Sequence, residues 1–211
     1  MIKIRVYNTP SIAKWIFPNR IWHGNKANNE VYVTFDDGPH VELTPWLLDF
    51  ARKKEIKLNF FWLGKNAIKL KELKDRAQHE GHFIANHGYE HLNDTKVPNA
   101  AYLENFSKGN TIFKEKAFRP PYGRLGQKSA KKIKQTHQII MWSWLSYDWD
   151  KNISNQTIEK KLKKHLKPGH ILVFHESDKT KDRFYELIPK IFNIIEIKGL
   201  KTASLSKIIN A

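Results

Sequence analysis

The sequence predicts an α/β fold, a parallel sheet with helices outside, built either as a closed or partly closed barrel or as an open doubly wound sheet. Three observations predict it. From residue 31 onward about seven strand-like segments alternate strictly with helix-like ones. The 211 residues, 40% hydrophobic with seven Trp, suffice for one full core but are slightly few for a complete eight-fold barrel. The ionisable residues that stand out lie at the carboxyl ends of strands, which a parallel sheet gathers on one face. No Gly-rich dinucleotide or phosphate loop follows the first strand, which argues against a nucleotide fold.

The first strand is VYVTF (31–35), five strand formers running into Asp36 and Asp37 and stopped by Gly38 and Pro39. Thr44 and Pro45 announce a helix through WLLDFARKK. LNFFWL is the second strand, and KNAIKLKELKDRAQHE is a helix with apolar Ile68, Leu70 and Leu73, stopped by Gly81. HFIAN is the third strand, followed after Pro98 by a helix over AYLENFSKGNTIF with a weak point at Gly109. KAFRP precedes a helix around GQKSAKKIKQ, and QIIMW precedes one from about Asn155 to Leu166, ended by Pro168 and Gly169. ILVFH leads into DRFYELIPKIFNIIEI, where Pro189 is a kink or a break. A short strand near Leu200–Ala203 and a helix begun by Ser204 close the chain.

Composition narrows the chemistry. There is no cysteine, so any metal must be held by His and carboxylates. The net charge of +16 is concentrated in KLKELKDR, KSAKKIK and EKKLKKHLK, which read as solvated outer faces of amphipathic helices with, at most, weak affinity for anionic surfaces. No recognition helix or aromatic-basic stacking motif accompanies that charge, so no specific nucleic-acid partner is expected. No run approaches the ~20 apolar residues of a membrane span. The first twenty-odd residues are broken by Arg5, Asn8, Pro10, Lys14 and Pro18 and make a poor secretion leader, so the chain as written reads as a mature or leaderless protein, cytoplasmic only in the latter case, and the compartment stays open. Residues 1–30 are expected to be an arm packed on a single domain of residues 31–211, in preference to an interfacial role for Trp15, Ile16, Phe17 and Trp22. A monomer is expected.

The polar residues fall into place on this frame. Adjacent carboxylates at a strand end repel each other, and a cation offsets that cost; Asp36 and Asp37 could both approach one pocket where Gly38 turns the backbone, one binding a metal and the other free to take a proton. His87 and His91 follow the third strand four positions apart, a spacing that points two imidazoles at one ion if a carboxylate completes the set, although alone it fits surface or core histidines equally. Arg119 opens the rigid segment RPPYG, suited to holding a carboxylate. Asp148 lies among aromatics in MWSWLSYDWD, where Trp149, like Tyr122, is read either as core or as a surface for stacking a sugar ring. His175 ends a buried strand and needs a partner; Asp148 can fix its tautomer and raise its pKa, making it an acid near neutrality.

TFDDGP, the two histidines of NHGYEH, RPPYG, the Asp-Trp of SYDWD and the strand ending VFH resemble, in order and spacing, the motifs of the polysaccharide deacetylases, carbohydrate esterase family four. The resemblance spans roughly Val31 to Ala203. It implies a distorted seven-fold (β/α) barrel and metal-dependent removal of acetyl groups from a glycan, usually N-acetylglucosamine units of chitooligosaccharide or peptidoglycan, sometimes acetylated xylan. It implies Asp36 as general base, Asp37, His87 and His91 as ligands of Zn²⁺ or of Co²⁺ or another divalent ion, and Arg119 orienting Asp36. It further implies His175 as general acid with Asp148 as its partner, and Tyr122 and Trp149 in the substrate wall. Gly88 stands where relatives carry Ser or Thr, Leu145 where an acid is usual, and Glu176 where Asp is common. Most relatives act outside the cytoplasm. Two alternatives stay open: a deacylase of small N-acyl or N-formyl metabolites or lipid-linked sugars, and a non-catalytic carbohydrate- or polyanion-binding module.

Overall fold

Every strand that pairs in the sheet does so in parallel. The computed structural model describes residues 5–209, so the first four residues of the expected arm and the last two of the chain lie outside the described residues. The strands are β1 (Glu30–Asp36), β2 (Asn59–Trp62), β3 (Phe83–Asn86), β4 (Ala117–Phe118), β5 (Gln138–Ile139), β6 (Trp144–Leu145), β7 (Ile171–His175) and β8 (Lys201–Thr202). Their order is β5-β4-β3-β2-β1-β7-β6, with β8 paired to the start of β1. This is the distorted seven-fold barrel implied by the motifs, a curled half-barrel wrapped by helices.

The period-two alternation of β1 sorts its side chains. Val31, Val33 and Phe35 point outward into the main core with Phe60, Trp62, Phe174 and Phe184, all buried. Tyr32, Thr34 and Asp36 alternate with them toward the barrel interior, where Tyr32 packs with Phe61, Phe83 and Ile171. The outer face is sealed by α2 (Leu43–Lys53) and α8 (Lys181–Ile197), whose Leu43, Leu47, Leu48, Phe184, Leu187 and Ile191 are buried. The remaining helices are α1 (Ser11–Ile16), α3 (Gly64–Lys69), α4 (Lys71–His79), α5 (Asn99–Asn110), α6 (Gln127–Ile133), α7 (Asn155–His165) and α9 (Ser206–Ile209).

Four local details differ from the sequence reading. The helix expected over residues 65–80 is two, broken at Leu70, where φ −114° and ψ 50° leave the helical region. Helix α8 runs unbroken through Pro189, the lost backbone bond falling on the turn of the exposed Tyr185. Gly109 is a close-contact point, since a Cβ there would lie 2.5 Å from Asn86 Oδ1. QIIMW does not form one strand: the segment pairs with β4 through Gln138 and Ile139, bends, and pairs with β7 through Trp144 and Leu145.

The N-terminal segment covers that bend. Thr9 N–H donates to Ser143 O at 2.9 Å, Leu145 N–H to Tyr7 O at 2.9 Å and Met141 N–H to Ile21 O at 2.7 Å. Ser143 Oγ–H donates to Trp22 O at 2.7 Å, and Gly24 N–H to Gly169 O at 2.8 Å. Tyr7, Arg20 and Trp22 are buried in the process.

Candidate active site

The cross-strand register of β1 with β7 sets Asp36 directly opposite His175. The next residue, Asp37, adopts φ 75°, and this left-handed step, at Asp37 and not at Gly38, swings its carboxylate to the same side as that of Asp36. His87 leaves β3, which ends at Asn86. All nine residues singled out from the sequence lie at the carboxyl ends of the strands, and all but Arg119 and Asp148 line one cavity of about 260 Å³.

Asp36 and Arg119 form a buried pair. Arg119 is fully buried; its Nη1–H groups donate to Asp36 Oδ1 and to Thr34 Oγ1, both at 2.6 Å. Nη2 reaches Met141 O at 3.1 Å, Nε reaches Ile140 O at 3.3 Å, and the guanidinium lies 4.0 Å from the centre of the Phe61 ring. The charge is thus neutralised by one carboxylate and its donors are shared among carbonyls, as a buried guanidinium requires. The Arg119 bond uses only Oδ1 of Asp36, a residue that lines the cavity.

Asp37, His87 and His91 form the second cluster, with ligand atoms all within 4.8 Å of one another. Asp37 Oδ1 lies 3.6 Å from His87 Nε2 and 3.3 Å from His91 Nε2, yet is buried with no hydrogen-bond partner. The His87 Nδ1–H donates to Arg119 O at 2.7 Å, which fixes the tautomer and turns the Nε2 lone pair toward Asp37. Burial pushes the His87 pKa down; burial, and then the charge of His87, push His91 down to about 4. Two neutral imidazoles with free lone pairs beside an orphaned buried carboxylate oxygen fit a divalent cation with open positions, and they do not fit an ion pair.

Across the cavity, His175 Nδ1–H donates to Asp148 Oδ1 at 2.8 Å, and the His175 backbone N–H donates to Asp148 Oδ2 at 2.8 Å. Ser146 Oγ–H adds a bond of 2.9 Å to the buried Asp148. Burial lowers the pKa of His175, but the charge of Asp148 and its hydrogen bond, helped by Asp37 and Asp36, outweigh it and hold the group up at about 9. His175 is therefore an imidazolium at neutral pH with Nε2–H free to donate. Tyr122, 61% exposed and at φ 58°, packs edge-on against His91 at 4.3 Å, while Trp149 packs edge-on against His175 at 4.5 Å. Two aromatic walls thus flank the polar floor.

Sequence reasoning missed several contributors. Thr34 shares the face of Asp36 two residues upstream, a signal available in the alternation of β1. Glu176, noted only as standing where Asp is common, is buried: its Oε1 accepts from Thr44 Oγ–H at 2.5 Å, its Oε2 from Trp62 Nε1–H at 2.7 Å, and its N–H donates to Asp36 O at 2.9 Å. Burial raises its pKa to about 7 despite those donors. Leu145, singled out in the sequence, lines the cavity, as do Trp142 and Lys179, and for those two only folding shows it. Gly88 has φ 88°, and a Cβ there would meet Asn105 Nδ2 at 2.8 Å, so the hydroxyl residue common in relatives would be strained on this backbone.

A family model described as polysaccharide deacetylase matches residues 23–139. The chain is 37% identical over 160 residues to a peptidoglycan-N-acetylglucosamine deacetylase of Bacillus cereus, covering 72% of this chain and 57% of that protein. It is 31% identical over 161 residues to the peptidoglycan-N-acetylglucosamine deacetylase PgdA of Listeria monocytogenes, covering 74% of this chain and 34% of that one. It thus spans less than two thirds of the length of these relatives. The crystal structure of the Bc1960 peptidoglycan N-acetylglucosamine deacetylase, solved with an N-oxidanyl-benzamide ligand, superposes with a TM-score of 0.82 at 30% identity over 94% of this chain and 97% of that one.

Proposed function

The chain belongs to the polysaccharide deacetylase family, and from that premise and the geometry of the cavity we propose that it is a metal-dependent hydrolase removing N-acetyl groups from N-acetylglucosamine units of peptidoglycan. Residues 31–211 are the catalytic domain in this reading, with residues 1–30 packed on it, and the enzyme acts as a monomer. The observation that carries the reading is the separation of two carboxylates: Asp36 is held by Arg119, while Asp37 faces two neutral imidazoles.

Asp37, His87 and His91 would hold the divalent ion, Zn²⁺ or Co²⁺, which supplies Lewis acidity at the acetyl carbonyl and the attacking water. Asp36, which lines the cavity, takes the proton of the water as it attacks; Arg119 holds the carboxylate in position throughout. A backbone N–H at Tyr122, at the cavity rim, donates to the developing oxyanion, a contribution commonly worth about 3–4 kcal/mol. His175 gives its Nε2 proton to the departing amine, and Asp148 stabilises the imidazolium until it does. Without that proton the tetrahedral intermediate would expel water instead of amine. The rings of Tyr122 and Trp149 flank the sugar.

The test is acetate release from peptidoglycan fragments, chitooligosaccharides, acetylxylan and monomeric N-acyl sugars, with and without a chelator, by wild type and Asp36→Asn. Release from peptidoglycan that the chelator and the substitution both abolish is the expected result. Release that survives the chelator, or that occurs on monomers alone, would refute the assignment.

A further inference from the structure

Helix α1 contributes no buried residue, although half of it is large and apolar. Ile12, Trp15 and Ile16, spaced i, i+3, i+4, share one face and are 58%, 78% and 50% exposed. The helix is attached through its other side, where Ala13 and Phe17 pack against a core cluster that includes Phe106, Leu125 and Ile139. Trp15 is the most exposed large hydrophobic residue described.

The charge around this face is of one sign. Residues 11–29, 127–138 and 160–170 together hold twelve Lys and Arg and no Asp or Glu, three quarters of the net charge of +16. The fold brings the three segments together: Ile16, Phe17 and Arg20 share a groove with Lys131 and Lys134 of the second, and His23 bridges to His170 of the third. Burial and the charge of Lys26 push Lys14 below its usual range, and Lys14 and Lys167 both act on His170. Helices α6 and α7 each end in lysines just before β5 and β7 begin, so the patch lies toward the amino ends of the strands, opposite the candidate active site.

A soluble polyanion needs only the cations; an apolar helix face set among them matches a bilayer, in which the rings and branched chains enter the headgroup boundary while lysines meet anionic lipids. We propose that α1 and its flanking lysines dock the protein on an anionic lipid bilayer, with the active-site mouth turned away from it. Because the patch does not include any residue of the cavity floor, this holds whatever glycan the site processes.

The experiment is co-sedimentation of the full chain with vesicles of about 30% phosphatidylglycerol in phosphatidylcholine, against pure phosphatidylcholine, at about 0.1 M salt. Binding to the anionic vesicles only is expected, weakened about tenfold by Trp15→Ser with Ile16→Ser and similarly by Lys131→Glu with Lys134→Glu. Acetate release from soluble substrate should be unchanged in both variants, which also reports that they fold. No vesicle binding, binding unaffected by the Trp15 and Ile16 changes as for a simple polyanion site, or loss of a dimer in the Trp15 variant by sedimentation velocity would each overturn the proposal.

Discussion

Replacing Asp148 by Asn removes the charge that holds His175 protonated while leaving a side-chain oxygen to accept from Nδ1–H. In the folded protein His175 titrates near 9, against an ordinary value of 6.5. A folded-state pKa raised above the unfolded one stabilises the protein fully below the lower value, and the effect is lost as pH rises through the upper one. At 1.36 kcal/mol per unit, the contribution is about 3 kcal/mol at pH 6, about 1.4 kcal/mol at pH 8 and close to zero at pH 10. The side-chain amide also faces the His175 backbone N–H across 2.8 Å, which adds a cost that does not vary with pH. Unfolding by urea of metal-stripped wild type and Asp148→Asn, measured from pH 6 to pH 10, should therefore show a gap that shrinks by about 3 kcal/mol toward high pH. In the loaded enzyme, the alkaline limb of the rate should move to lower pH in the variant. A stability gap that stays flat across this range, with an unmoved alkaline limb, would refute the ionic dyad.

Asp37→Ala and His87→Ala should each lose the bound metal, checked by elemental analysis, with activity falling with occupancy. Gly88→Ser, although it restores the residue common in relatives, should lower stability by about 1–3 kcal/mol because it forces a side chain into the left-handed region and against Asn105; thermal melting measures this. Gly38→Ala should lower both melting temperature and turnover, since its Cβ would lie 2.5 Å from Glu176 Oε2 and 2.6 Å from Trp62 Nε1 and push the Asp37 turn out of place. Normal turnover in that variant would show that the Glu176 cluster does not hold the turn.

The parts of this molecule legible in the chain are those specified by neighbours in sequence. VYVTF reads as a strand because its residues suit a pleated, buried environment, and DDGP ends it, so the position of Asp36 and Asp37 follows. The convergence of His87, His91 and His175 with the two Asp follows from parallel strands alone. What was not legible depends on partners far away in the chain. The bend in residues 138–145 arises because one end pairs with β4 and the other with β7. The role of Glu176 depends on Thr44 and Trp62, 132 and 114 positions away. The left-handed step at Asp37 is imposed by its surroundings, since an aspartate tolerates that conformation without demanding it.

The covering of that bend has a consequence for biosynthesis. During synthesis Trp22 can meet Ser143 only after 121 further positions have been made. Until then Tyr7, Trp22 and the buried Arg20 have nothing to lie against. Contacts of such long range form slowly, so this segment, made before the residues it packs on, is among the last to be locked in place.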